Sequence, residues 1–162
     1  MDADFKEELS YCPEHWRYVP LDGAKAPNEP EYHPEKKRMV KGYGWGKKPY
    51  TLDEVCTKPK QAVGLFLGPV SQTGAVDFDG PDSDKTFDFH CGDAGELFLP
   101  DTIANTSGRP SHYQMFFEVP EAWNNKIKKI TLEPPEGENW GNVELRFGNE
   151  KAFQSVLLGK HP

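Results

Sequence analysis

The chain has 162 residues, enough for one domain with a buried core or for two closely packed small lobes. Its formal net charge of −7 argues against gripping long duplex DNA by overall charge, and no apolar run approaches the length of a membrane-spanning helix. Fifteen Gly and fifteen Pro, with a mean hydropathy of −0.76, predict a loop-rich chain without long helices.

The opening Met1-Asp2-Ala3-Asp4 is acidic, unlike a signal peptide, so a cytoplasmic protein is expected. Asp4 to Ser10 is a short amphipathic helix candidate. His15 to Leu21 alternates like a strand that Pro20 confines to a sheet edge. Cys12, Cys56 and Cys91 are widely spaced and form no C-x-x-C pair, which supports neither a disulfide framework nor a zinc site.

A Pro- and Lys-rich loop is predicted up to Trp45. Between Lys36 and Lys60 lie Lys36, Lys37, Arg38, Lys41, Lys47, Lys48, Lys58 and Lys60 against Asp53 and Glu54, a local net of +6. Interleaved with Tyr43, Trp45 and Tyr50, these cations suit single-stranded nucleic acid held by phosphate contacts and base stacking. A solvated basic loop has the same signature. Thr51-Leu52-Asp53-Glu54 is a capping box that predicts a short helix running toward Lys58.

Ala62 to Leu67 is an apolar strand run, and Gly68 to Gly74 a turn-rich connection to Ala75-Val76-Asp77-Phe78-Asp79-Gly80, so a buried hairpin is predicted. Alternation places Asp77 and Asp79 on one face and buries Val76 and Phe78 on the other, before Gly80-Pro81 stops the strand. Two carboxylates on one rim suit Mg²⁺ or Mn²⁺, which points to phosphoryl or nucleotidyl transfer. Asp-x-Asp-Gly is also a common solvated strand end.

Ser83 to His90 predicts one or two helical turns ending at Gly92, after which Leu97 to Thr106 crosses back. Ser111 to Val119 reads as a buried strand, Pro120 to Trp123 as a short helix with Pro at its first position, and Asn142 to Phe147 and Phe153 to Leu158 as closing strands. Strands and helices without a strict βαβ rhythm favour α+β with a largely antiparallel or mixed sheet. Arg109, Ser111 and His112 offer a guanidinium, a hydroxyl and an imidazole to phosphate oxygens, although a lone histidine is often structural. Glu144, in the otherwise apolar Val143-Glu144-Leu145-Arg146-Phe147, is either a third carboxylate for a two-metal site or an ion-pair partner of Arg146.

The ordered set Val63-Gly64-Leu65-Phe66-Leu67-Gly68, Val76-Asp77-Phe78-Asp79-Gly80, Thr106-Ser107-Gly108-Arg109-Pro110-Ser111-His112 and Val143-Glu144-Leu145-Arg146, with Gln154-Ser155-Val156 and His161-Pro162, resembles the primase-polymerase domain of the archaeo-eukaryotic primase superfamily. Such domains carry an acidic pair, a Ser-x-His type motif and a third acidic residue, matched here by Asp77 and Asp79, His112 and Glu144, with spacings of 33 and 32 residues. Pro110 stands where the family has Ser, and the cysteine set of the primase zinc element is absent, so no zinc is expected.

The resemblance implies a two-lobed α+β fold with an RRM-like catalytic sheet. Residues 1–60 would form an amino-terminal lobe and 61–162 the catalytic sheet of one domain, expected to come from a longer replication protein. It implies template-directed nucleotidyl transfer as a DNA primase or polymerase, with two Mg²⁺ or Mn²⁺ ions on Asp77, Asp79 and Glu144. Arg109, Ser111 and His112 would cradle an NTP or dNTP, with Arg146, Gln154 and His161 as further nucleotide contacts. Lys25 and the basic residues Lys36, Lys37, Arg38, Lys41, Lys47 and Lys48 would hold the phosphates of a single-stranded DNA template and primer. A monomer working beside a helicase domain or replication proteins, away from membranes, is expected. The alternatives are a catalytically weak module that binds nucleotide or single-stranded DNA, and a metal-dependent nuclease using the same acids.

Overall fold

The computed structural model describes residues 5–23, 25–92, 99, 101–148 and 153–159. Ten strands and three short α-helices appear in it: α1 (Phe5–Leu9), β1 (Tyr18–Leu21), β2 (Pro30–His33), β3 (Arg38–Lys41), α2 (Leu52–Cys56), β4 (Ala62–Leu67), β5 (Thr73–Asp79), α3 (Ser83–Cys91), β6 (Ala104–Thr106), β7 (His112–Glu118), β8 (Ile130–Leu132), β9 (Asn142–Arg146) and β10 (Phe153–Gly159). The fold is α+β, and every strand pairing among the described residues is antiparallel.

The strands form a three-stranded sheet in the order β1-β4-β10, a five-stranded sheet in the order β6-β7-β5-β9-β8, and the separate hairpin β2-β3. Pro20 lies in β1, an edge strand, where a missing backbone N–H costs no ladder bond. β4 is buried along its whole length. Val63, Leu65 and Leu67 pack with Leu9 of α1, Val55 of α2, and Trp16, while Ala62 and Phe66 pack on the other side with Val19 and Leu21.

The predicted hairpin of Ala62–Leu67 with Ala75–Asp79 does not form. β4 is paired on both sides, by β1 and β10, and β5 likewise by β7 and β9, so neither has an edge for the other. Among the described residues their one backbone pairing is the bridge between Gly68 and Thr73, and Ala75 of β5 joins Val63, Leu65 and Leu67 in the core. Gly68 crosses between the sheets at φ +109°, where a Cβ would lie 2.2 Å from the Gly148 carbonyl oxygen.

Local signals fare better than pairing. The Thr51 hydroxyl accepts the Glu54 N–H at 3.4 Å and the Glu54 carboxylate accepts the Thr51 N–H at 2.8 Å, closing the capping box, although α2 stops at Cys56. α3 ends at Gly92, which takes a positive φ of 67°. Pro120 precedes, rather than begins, a 3₁₀ turn at Glu121–Trp123. The stretch expected to be a loop up to Trp45 contains β2 and β3. Of the predicted crossing Leu97–Thr106, residues 97, 98 and 100 lie outside the described residues, and its end forms β6.

Candidate functional site

Cross-strand register assembles the site. Asp77 on β5 is opposite Gln114 on β7 and Glu144 on β9; Asp79 is opposite His112 and Asn142. Continuing to the edges, Asn105 pairs with Gln114 and Thr131 with Glu144, so one row across the five strands reads Asn105, Gln114, Asp77, Glu144, Thr131. The neighbouring row points to the other face and reads Thr106, Tyr113, Phe78, Val143, Leu132. Phe78, Val76 and Val143 pack there with Phe87 of α3, which fixes which way the aspartates point.

The polar face is only partly covered. Ala75 and Phe116, one step back along β5 and β7, are buried in the same core cluster as Leu157 of β10. Beyond them the sheets leave an open cleft of about 570 Å³, lined among others by Lys25, Asp77, Asp79, Arg109, His112, Arg146 and Gln154. Seven residues distant in sequence, all expected to bind phosphate, nucleic acid or metal, are thus brought together.

Their contacts are specific. His112 Nδ1 lies 2.6 Å from Asp79 Oδ1; an ionised carboxylate only accepts, so Nδ1 carries the hydrogen and Nε2 is left for another partner. Arg146 donates to Asp77 Oδ2 at 3.4 Å, to Ser155 Oγ at 3.2 Å and to the Gln154 carbonyl at 3.2 Å, bracing the acidic strand against β10. The loop before β7 is stitched by Gly108 N–H to Thr106 Oγ1 at 3.2 Å and Arg109 N–H to Ser107 Oγ at 3.4 Å. Ser111, exposed at φ 59°, sits at its end and accepts the Gly80 N–H on its carbonyl at 3.1 Å. Its hydroxyl is not part of the cleft wall.

Burial pushes the Asp77 carboxyl above the usual carboxylate range; Arg146 and a Gln114 hydrogen bond oppose this, while Asp79 and Glu144 add to it. Burial also lowers the Lys25 ammonium, with Arg109 adding repulsion and Asp77 and Asp79 opposing. Gln114 Oε1, Gln154 Oε1 and Arg146 Nε are buried without a hydrogen-bond partner, and all three belong to residues lining the cleft.

Glu144 is placed differently. Its carboxylate lies 2.7 Å from Lys129 Nζ and 3.8 Å from Arg146 Nε, and it does not line the cleft. Among the described residues no group of three or more His, Cys, Asp or Glu is gathered to hold a metal ion. The donors that fit a hard divalent cation are Asp77 and Asp79, two carboxylates on one open rim, one of them under-compensated where it stands. Glu144 stands across from Asp77 in the register but is held by Lys129.

Lys36 and Lys37 sit in the β2–β3 turn, Arg38 and Lys41 on β3, Lys47 in the 3₁₀ turn Trp45–Lys47 and Lys48 just after it; none lines the cleft. Lys41 pairs with Asp22, and Lys48 lies 3.3 Å from Glu31. His161 lies outside the described residues. Gln114 and Asn105 escaped sequence reasoning: both stand on strands whose alternation shows which face they occupy, but only register shows that this face is the acidic one.

The family model described as bifunctional DNA primase/polymerase, N-terminal, matches residues 8–161. No curated protein and no solved structure matches the chain.

Proposed function

Since the chain belongs to the family of bifunctional DNA primase/polymerase N-terminal domains, we propose that it is a template-directed nucleotidyltransferase whose site is the cleft at the end of β5. The observation that carries this reading is the meeting of Asp77 and Asp79 with Lys25, Arg109 and His112 in one open cleft, carboxylates for metal beside two cations and an imidazole for phosphate. In this reading Asp77, Asp79 and Glu144 hold Mg²⁺ or Mn²⁺, two ions when the site is filled. When bound, the metal supplies Lewis acidity that activates the attacking hydroxyl and neutralises the leaving pyrophosphate.

The chain's own residues do the positioning. Arg109 is presented by its stitched loop to the triphosphate of an incoming NTP or dNTP, while Ser111, outside the cleft wall, reaches it only if the loop turns inward. His112, which donates Nδ1–H to Asp79, donates Nε2–H to a phosphate oxygen only as the imidazolium, the form in which both ring nitrogens carry hydrogen. Arg146 offsets part of the cost of burying the Asp77 carboxylate and aims it. The hairpin cations Lys36, Lys37 and Arg38, all exposed, take the template and primer phosphates outside the cleft. The five-stranded sheet serves as the RRM-like catalytic half of a two-lobed fold. The protein acts as a cytoplasmic monomer together with a helicase domain or replication proteins; among the described residues no helix is long and apolar enough to cross a membrane.

Thermal denaturation with Mn²⁺ alone and with Mn²⁺ plus dNTP tests the nucleotide half of this reading. A transition raised further by dNTP is expected, because a ligand that binds only the folded state stabilises it. Equal transitions, with cleavage of single-stranded DNA, would replace it with a nuclease. The pairing of Glu144 with Lys129 favours one second reading, a module that binds nucleotide but extends primers weakly.

A further inference from the structure

Lys25 is held in the cleft by an unusual piece of backbone. It takes φ 63°, in the left-handed region that a non-glycine residue adopts at a cost. Three hydrogen bonds enforce the turn around it: Lys25 N–H to the Asp22 carbonyl at 3.1 Å, Asp22 N–H to the Ala26 carbonyl at 2.9 Å, and Ala26 N–H to Asp22 Oδ1 at 2.9 Å. The Lys25 carbonyl is in turn taken by Gln154, whose Nε2 donates to it at 3.1 Å across the seam between this loop and β10.

The Gln154 side chain reaches that carbonyl because Gly64 lies beside it. A Cβ on Gly64 would stand 2.5 Å from Gln154 Oε1 and 3.0 Å from Leu21 Cδ1. Gln154 Oε1 itself is buried with no partner, so the amide is held in this orientation at the expense of its own oxygen. The return on that cost is the placement of the next loop. Lys25 then lines the cleft alongside Arg109 and the two aspartates, whereas none of the hairpin lysines does.

We infer that Gln154 is a positioning residue: through the Lys25 carbonyl it aims the Lys25 ammonium at the triphosphate of the bound nucleotide, and Gly64 provides the space for it to do so. This rests on the nucleotide-binding reading above and moves Lys25 from the template and primer contacts to the triphosphate. A desolvated ammonium beside a guanidinium gains most from a polyanion, which is what a triphosphate brings.

The test is calorimetric titration of the whole chain with inorganic triphosphate, without metal, for the unmodified protein, Lys25→Ala, Gln154→Met and the double variant. Methionine fills the glutamine's space but has no N–H to donate, and the thermal transition of each variant shows that it is folded. Lys25→Ala is expected to weaken binding about tenfold, the loss of one charge-assisted hydrogen bond. Gln154→Met is expected to weaken it several-fold, and the double variant no further than Lys25→Ala alone, because the glutamine acts through the lysine. Losses that multiply in the double variant, an unchanged Gln154→Met, or no triphosphate binding by the unmodified chain would each overturn the inference. Coupled losses in a chain that never extends a primer would leave it standing and remove the polymerase reading alone; primer extension with binding indifferent to Lys25 would do the reverse.

Discussion

The cleft and the β2–β3 hairpin both gather cations, by opposite means. The hairpin draws Lys36, Lys37, Arg38 and Lys41 from one stretch of sequence and points them at solvent, Lys41 beside Asp22. The cleft draws Lys25, Arg109 and Arg146 from three distant segments and sets them against Asp77 and Asp79, with Lys25, Arg146 and Asp77 half-buried. On the proposed reading, density of charge along the chain serves a surface that holds a long polyanion loosely, and density in space serves the site that orients a small one.

Substitutions separate these two roles, the largest effect being expected at Asp77. Asp77→Asn is predicted to cut nucleotide transfer more than about a hundredfold, as for loss of a metal-orienting or charge-stabilising group. It should also raise the thermal transition of the metal-free protein. The sign follows from burial: the folded-state pKa is raised, so ionising Asp77 costs stability, and that cost grows as pH climbs from the ordinary aspartate range through the raised value. Denaturation curves across that window should show unmodified stability falling with pH and the Asn variant failing to follow. Arg109→Ala comes next, with KM for nucleotide raised about tenfold and little change in fold, as steady-state kinetics and circular dichroism would show.

Arg146→Ala probes the brace rather than the ligand. It strips Asp77 of its guanidinium partner and β10 of two hydrogen bonds, and denaturant titration should show a loss of about 2 kcal/mol. That is below the figure for fully buried pairs because both side chains keep about a fifth of their surface exposed. The smallest effect belongs to the hairpin. Lys36→Ala/Lys37→Ala/Arg38→Ala should leave nucleotide KM unchanged, weaken primer-template binding a few-fold at moderate salt and reduce the salt slope by about 2. A rise in nucleotide KM for this triple variant would break the distinction between the two regions.

Much of the acidic half of the site is legible in seven residues of β5, because alternation alone sends Val76 and Phe78 to the core and Asp77 and Asp79 to the opposite face. Short-range devices are equally legible: the Thr51–Glu54 box, the stop at Gly92 and the edge placement of Pro20. Pairing is not. Two apolar runs joined by a turn have the signature of a hairpin, yet β4 and β5 find their partners at β1 and β10, and at β7 and β9, through contacts that no local pattern encodes. The polar β2 and β3 lack an alternating apolar signature because they form a ribbon of their own with little to bury. Lys25 is the sharpest case. The sequence places it with the hairpin lysines as a contact to primer and template phosphates, and only the turn held by Asp22 and Gln154 brings it to the aspartates.

Primer extension tests most directly whether transfer chemistry resides in the cleft. A labelled primer-template is incubated with Mn²⁺ or Mg²⁺ and all nucleotides, comparing the unmodified chain with Asp77→Ala/Asp79→Ala. Extension by the unmodified chain and its loss in the double variant is the predicted result. Extension that survives the double variant, or none from an unmodified chain that binds nucleotide, would contradict it.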